Sequence, residues 1–223
     1  MPQRKSKIIL SYFLLLFLVG TISNINFNNI KFQKIKNIKV TGLDDNENLI
    51  LLEQIKNLKL HNIFFIDEKE ITNQINSNSL VEKFEIFKKY PSSLDINLEK
   101  TKLLAKINYK EKIFLIGSNG KLSKDNSSNN HLPFIFGKPD INEFLNFKKI
   151  IDRSKFSYYK IKNLYFYPSK RWDIELDDNT IIKLSKNYSE ESLKLIFNFL
   201  YNQNLENIRI VDARIENQII LND

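Results

Sequence analysis

The chain contains no cysteine. Disulfide staples, thiolate nucleophiles and cysteine-ligated zinc or iron–sulfur centres are excluded, while the compartment is left open. Histidine is nearly as scarce. His61 and His131 lie far apart beside turn-forming residues, with neither an HExxH nor a histidine–carboxylate spacing, and both read as loop residues. With five glycines and no GxSxG or phosphate-loop pattern, nothing supplies a positioned nucleophile, an acid–base pair or a metal site. The acidic pairs Asp44-Asp45 and Asp177-Asp178 fall in turns, where aspartate bonds its own backbone. The sequence implies no enzyme activity, cofactor or metal.

What is present suits a folded protein. A hydrophobic share of 42% over 223 residues is enough for one large domain or two small ones. The net charge of +8 suggests a nucleic-acid or membrane partner at first sight. Lysine outnumbers arginine 29 to 5, however, beside 29 asparagines and 32 isoleucines. That combination is the imprint of an A/T-rich genome. No lysine cluster with interleaved aromatics occurs, so no nucleic-acid partner is indicated.

Arg4, Lys5 and Lys7 precede a stretch without charge over residues 8–27. About 20 such residues suffice to cross a bilayer. The strongly apolar part, residues 8–22, is nearer a cleavable signal core. Gly20 and Ile22 do not form a small-x-small cleavage site, and Thr21 with Ser23 forms a weak one. The favoured reading is an uncleaved signal anchor, with a cleaved signal as the alternative. Either way the basic flank stays in the cytoplasm and residues from about 30 are exported.

The exported part opens with "IKNIKVTG", a strand closing on Gly42. Leu51, Leu52, Ile55 and Leu58 follow at helical spacing. A second helix starts after Asp67, with Glu70 at capping-box spacing and an Ile66–Ile71 staple. Two strands broken at Pro91-Ser92 complete a β-α-α-β-β order. Beyond it, "KIFLIGSNGKL" reads as a hairpin turning at Asn119-Gly120, and "KDNSSNNHLPFIFGKPD" as a loop. A helix capped by Asp140 comes next, then strands in "KIKNLYFYP", "RWDIELDD" and "TIIKLSK", a helix capped by Ser189, and a terminal strand. Hairpins with segregated helices indicate an α+β fold.

In that order, "IKNIKVTG", "NIFFID", "FEIFKKYPSSLDINLEK", "FLIGSNGKL", "HLPFIFG", "KRWDIELDDNTIIKLS" and "IRIVDARIENQIIL" resemble the FtsQ/DivIB family of bacterial cell-division proteins. The resemblance implies a cytoplasmic tail at residues 1–7, a transmembrane signal anchor at 8–27, a POTRA-like module at 33–101 and a mixed β domain at 105–223 with a C-terminal edge strand. It also implies a non-enzymatic division scaffold, single-pass in the inner membrane, its bulk periplasmic and at the septum. Its implied partners are an FtsB/FtsL-like complex bound by strand addition, and other division proteins through the POTRA-like module. One departure is that Glu99 is followed by "KTKLLA", without the proline common in the family. The rival readings are a POTRA-containing export or outer-membrane assembly factor that binds client peptides, and an exported hydrolase.

Two stretches carry the candidate partner-binding residues. In "KRWDIE", neighbouring Arg171 and Trp172 face opposite sides of a strand, with Trp172 expected in the core and Arg171 outside. The resemblance implies that Arg171 and Arg214 approach each other and engage one acidic residue of a partner. In the terminal run, an extended chain puts Val211, Ala213, Ile215, Ile219 and Leu221 on one face, and Asp212, Arg214, Glu216 and Gln218 on the other. The partner-binding set is therefore Arg171, Asp212, Arg214, Ile215, Asn217 and Ile219. "ENQ", residues 216–218, lacks the glycine that favours a hairpin turn, so one continuous strand with room for a bulge is the favoured reading, with a hairpin turn as the alternative.

Overall fold

The computed structural model describes residues 3–22, 34–58, 60, 62–124, 131–154, 156–202, 208–215 and 218–222. The first helix, α1 (Gln3–Ile22), exposes apolar side chains on every side between Ile8 and Val19. Among the described residues no helix is long and apolar enough to cross a membrane. The remainder of the uncharged run, residues 23–27, lies outside the described residues.

Next comes β1 (Asn37–Thr41), α2 (Asp45–Asn57), α3 (Glu68–Ser77), β2 (Val81–Lys89) and β3 (Ser93–Lys100). Their sheet runs β1-β3-β2, with β1 parallel and β2 antiparallel to β3. Leu51 and Ile55 on α2, and Ile71 and Ile75 on α3, repeat at i,i+4, so each pair lies on one helix face. All four are fully buried against Val40, Leu94 and Ile96. The Asp67 carboxylate accepts from the Lys69 N–H at 2.8 Å and caps α3 as expected. Gly42 turns the chain after β1 at φ 115°, where an added Cβ would lie 1.8 Å from the Leu98 carbonyl oxygen.

The second sheet follows after Thr101 and Lys102. Its strands are β4 (Leu103–Tyr109), β5 (Lys112–Gly117), β6 (Leu122–Lys124), β7 (Phe134–Phe136), β8 (Ile161–Phe166), β9 (Trp172–Leu176), β10 (Ile181–Leu184), β11 (Ile210–Ala213) and β12 (Ile220–Asn222). Two helices interrupt them, α4 (Ile141–Arg153) and α5 (Glu190–Asn202). The nine strands lie in the order β12-β11-β10-β9-β8-β7-β4-β5-β6. Phe144, Phe147 and Ile151 of α4 and Leu193, Ile196 and Phe197 of α5 cover one face, against Ile135, Leu164, Trp172, Ile174, Ile182 and Val211. Trp172 is fully buried, as expected, and stacks on Phe147 at 4.6 Å.

Two expectations are corrected. The segment around "HLPFIFG" is not all loop, because β7 sits inside the sheet, parallel to both β4 and β8. Three residues between Pro133 and Gly137 are too few for an alternation to show. The terminal run is not one bulged strand either. β11 pairs parallel with β10 and antiparallel with β12, so the chain folds back on itself. The Gln218 N–H donates to the Ile215 carbonyl at 3.2 Å within the turn, while residues 216 and 217 lie outside the described residues.

The two sheets are joined laterally. Glu82 accepts from the hydroxyls of Thr101 (2.8 Å) and Ser118 (2.7 Å). The Asn119 amide donates to the carbonyls of Ser79 and Val81, both at 2.9 Å, and Lys121 donates to the Asn76 carbonyl at 2.7 Å. In the Asn119-Gly120 turn only Gly120 takes a positive φ.

Gly42→Ala should destabilise the first sheet by about 1–3 kcal/mol from backbone strain alone. The urea midpoint read by far-UV circular dichroism should fall. The midpoint read by fluorescence of Trp172, the only tryptophan, should stay in place, since that ring belongs to the second core.

Candidate functional site

Strand alternation sorts the second sheet into two faces. With α4 and α5 on one, the other is lined by consecutive cross-strand partners. One row reads Phe136, Tyr165, Asp173, Lys183, Asp212 and Ile220. Beside it run Phe134, Asn163, Glu175, Ile181, Ile210 and Asn222. The first row begins aromatic, with Phe136 stacked on Tyr165 at 5.0 Å, and ends at the sheet edge on β12.

Between those ends the row is ionic. Arg171 places Nε 3.2 Å from the Asp173 carboxylate and lays its guanidinium 4.4 Å over the Tyr167 ring. Asp173 is 2% exposed. Burial pushes its carboxyl above the usual carboxylate range, against the opposing pull of Arg171, Tyr167 and Lys183. Two strands away, Arg214 Nε contacts both oxygens of Asp212 at 2.8 and 2.9 Å, and the Arg214 N–H donates to the same carboxylate at 3.1 Å. That bonding holds Asp212 below its ordinary value and raises Arg214. In the second row, Glu175 accepts from Tyr165 (2.6 Å) and Asn163 (2.9 Å), and pairs with Lys162 at 3.2 Å. Burial would raise Glu175, but these bonds outweigh it and its pKa falls, while donation to Glu175 pushes the Tyr165 hydroxyl up to about 12.

Of the expected site residues, Arg171, Asp212 and Arg214 share this outer face. Each arginine is bound by an aspartate two residues away on its own segment. Asp173 and Asp212 stand on strands separated by β10, about 10 Å apart at ordinary strand spacing. Lys183 sits between them in the register. Ile215 is exposed in the hairpin turn, Ile219 packs inward on the core, and Asn217 lies outside the described residues. Sequence reasoning missed Asp173, Lys183 and Ile220 as neighbours of the arginines. Alternation put each on a polar face, but cross-strand register is not written in a single strand. Among the described residues no group of three histidine, aspartate or glutamate side chains could hold a metal ion.

Residues 33–100 match the family described as "POTRA domain, FtsQ-type". The chain is 26% identical over 187 residues to the cell division protein FtsQ of Rickettsia prowazekii, covering 80% of this chain and 69% of that protein. The FtsQ of Rickettsia typhi is 25% identical over 187 residues, with 80% and 70% covered. Among solved structures, the major extracytoplasmic domain of the trans isomer of the cell division protein DivIB from Geobacillus stearothermophilus aligns over 48% of this chain and 90% of its own, at 11% identity and a TM-score of 0.33. At that score the likeness decides nothing about fold or function.

The two aspartates of the ionic row should respond oppositely to pH. Asp212 has a lowered folded-state pKa, so its contribution is present at neutral pH and lost as pH falls through that pKa. Asp212→Asn should therefore cost about 1 kcal/mol or less at pH 7 and progressively less towards pH 3. Asp173 has a raised folded-state pKa, so its ionised form subtracts stability as pH rises through it. Asp173→Asn should be more favourable at pH 7 than at pH 4. Thermal unfolding followed by Trp172 fluorescence measures both.

Proposed function

We propose that this chain is a member of the FtsQ/DivIB family of bacterial cell-division proteins and a non-enzymatic scaffold that captures a partner segment at the β12 edge, a reading supported by the FtsQ-type POTRA match and the FtsQ relatives. The observation that carries the reading is an ionic row that ends on a strand paired on one side. Among the described residues β12 bonds to β11 alone. A strand added there gains main-chain hydrogen bonds, and its side chains fall beside Ile220 and next in line to Asp212. Arg171, Lys183 and Arg214 against Asp173 and Asp212 leave one positive charge over in the row. An acidic residue on the incoming segment completes it, with Arg214 able to make a forked, charge-assisted contact.

In this reading residues 8–27 anchor the chain in the inner membrane, residues 1–7 remain cytoplasmic, and the rest is periplasmic at the septum. The apolar surface around α1 supports the anchor, since a helix apolar on all sides needs burial or lipid. The incoming segment is the part of an FtsB-like subunit, itself paired with an FtsL-like one, that follows its coiled coil. The POTRA-like module docks other division proteins.

Co-purification of the full chain with the FtsB/FtsL-like pair tests this. Arg214→Glu and Leu221→Pro should each weaken recovery at least about tenfold, as expected when a charge partner or a backbone donor is removed at an interface. Retained binding by folded variants would refute edge capture. Because the chain has no cysteine, a disulfide between Ile210→Cys and Asn222→Cys, direct cross-strand partners, can lock the hairpin. Binding should survive oxidation if the partner adds to β12, and be lost if β12 must leave.

A further inference from the structure

The end of the first sheet where the chain arrives is aromatic. β1 and β3 are parallel, so Asn37 and Ser93 start at the same end, and antiparallel β2 finishes there at Lys89. The chain is tied to this end before β1 begins. Lys34 bridges Asn62, and the Lys36 N–H donates to the Ser92 carbonyl at 2.8 Å. The Asn62 side chain accepts from the N–H groups of Phe64 (3.0 Å) and Phe65 (3.1 Å), capping the 3-10 turn Ile63–Phe65. Ile63 is fully buried, which leaves its two neighbours on the outside, Phe64 at 53% and Phe65 at 72% exposure. The Phe64 ring lies 5.0 Å from Tyr90, itself 61% exposed in the β2–β3 turn.

Three large rings thus share one end of a small module with exposed Lys34 and Lys36, while Lys88 and Lys89 nearby pair with Glu68 and Asp95. The opposite end of β3 leads into Thr101 and the lateral joint to the second sheet, so the aromatic end points away from the β domain. Only residues 23–33 separate it from α1. Eleven residues reach roughly 40 Å when fully extended, so the rings stay near whatever surface holds α1. Amphipathic and aromatic side chains favour the headgroup level of a bilayer, and lysines favour its anionic lipids.

We propose that Phe64, Phe65 and Tyr90 dock the POTRA-like module onto the headgroup–acyl boundary of the bilayer, with Lys34 and Lys36 against anionic headgroups. This rests on the anchor reading above and adds a second, interfacial contact to it. The absence of native cysteine makes single-site labelling clean. Full-length protein carrying Phe65→Cys, Leu14→Cys or Tyr159→Cys is labelled with an environment-sensitive fluorophore and reconstituted in phosphatidylethanolamine–phosphatidylglycerol vesicles. Nitroxide-bearing lipids then report depth. Leu14 lies within α1, and Tyr159 is a solvent-facing control on the β domain.

The expected result is a blue-shifted Phe65 label, quenched by nitroxides at the headgroup–acyl level, beside an unquenched Tyr159 label. Adding Phe64→Ser and Tyr90→Ser should abolish that quenching, which separates docking by the protein's own rings from partitioning of the dye. A Phe65 label as unquenched as Tyr159, with Leu14 quenched, overturns the docking and leaves the anchor standing. An unquenched Leu14 label overturns the anchor and the docking with it. A blue shift at Phe65 without lipid quenching means protein covers the site and also overturns the proposal.

Discussion

The outer face of the second sheet exists because the inner face is closed around one ring. Trp172 stacks on Phe147 and meets Phe144 and Phe166 at a tilt, with Tyr188 packed edge-on against Phe147. Those contacts hold α4 against the strands and fix which side of β9 points inward. Because the side-chain period along a strand is two, Trp172 inward puts Arg171 and Asp173 outward with no further choice. The same parity propagates through the paired strands to Lys183, Asp212 and Ile220. A slip of one residue anywhere in this sheet would exchange a core for an ionic row, at a cost no surface interaction could offset.

Within that row the charges are arranged locally before they are arranged across strands. Each arginine has an aspartate two residues away on its own segment, so its guanidinium is oriented without help from a neighbouring strand. The environments of the two aspartates differ because their burial does. Asp173 is enclosed and strains against ionisation, whereas Asp212 is stabilised by the forked contact with Arg214. The Arg171 contacts to Asp173, at 3.2 and 3.5 Å, are longer than those of Arg214 Nε to Asp212, at 2.8 and 2.9 Å.

The first module was almost entirely legible in the sequence. Leu51 with Ile55, and Ile71 with Ile75, announced two helices, and Asp67 marked a start that the structure reproduces. In the second sheet β5, β8, β9 and β10 were equally plain, whereas β4, its longest strand, was not read from the sequence. β7 was not, because a three-residue strand between Pro133 and Gly137 has too short a pattern and partners remote in sequence. The terminal hairpin was hidden by arithmetic. Its register pairs Val211 with Leu221 and Asp212 with Ile220, so odd positions meet odd and even meet even. A single strand and this hairpin therefore give the same alternation, and only Ile215, turned outward, breaks it. At the site, residue types and faces could be read, but the adjacency of Asp173, Lys183 and Asp212 depends on register between distant strands.

The lateral joint between the sheets also has a geometric meaning. Two residues of linker, braced by Glu82, Asn119 and Lys121, leave little room for bending, and β3 spans about 26 Å at ordinary strand rise. For a chain held at its N-terminal helix, the first module is then a spacer of constant height. With the anchor and the interfacial docking proposed above, the β12 edge would stand at a set distance above the bilayer, and a partner segment would need a matching reach to pair there. A ruler of this kind would select partners by stature before any side chain is compared.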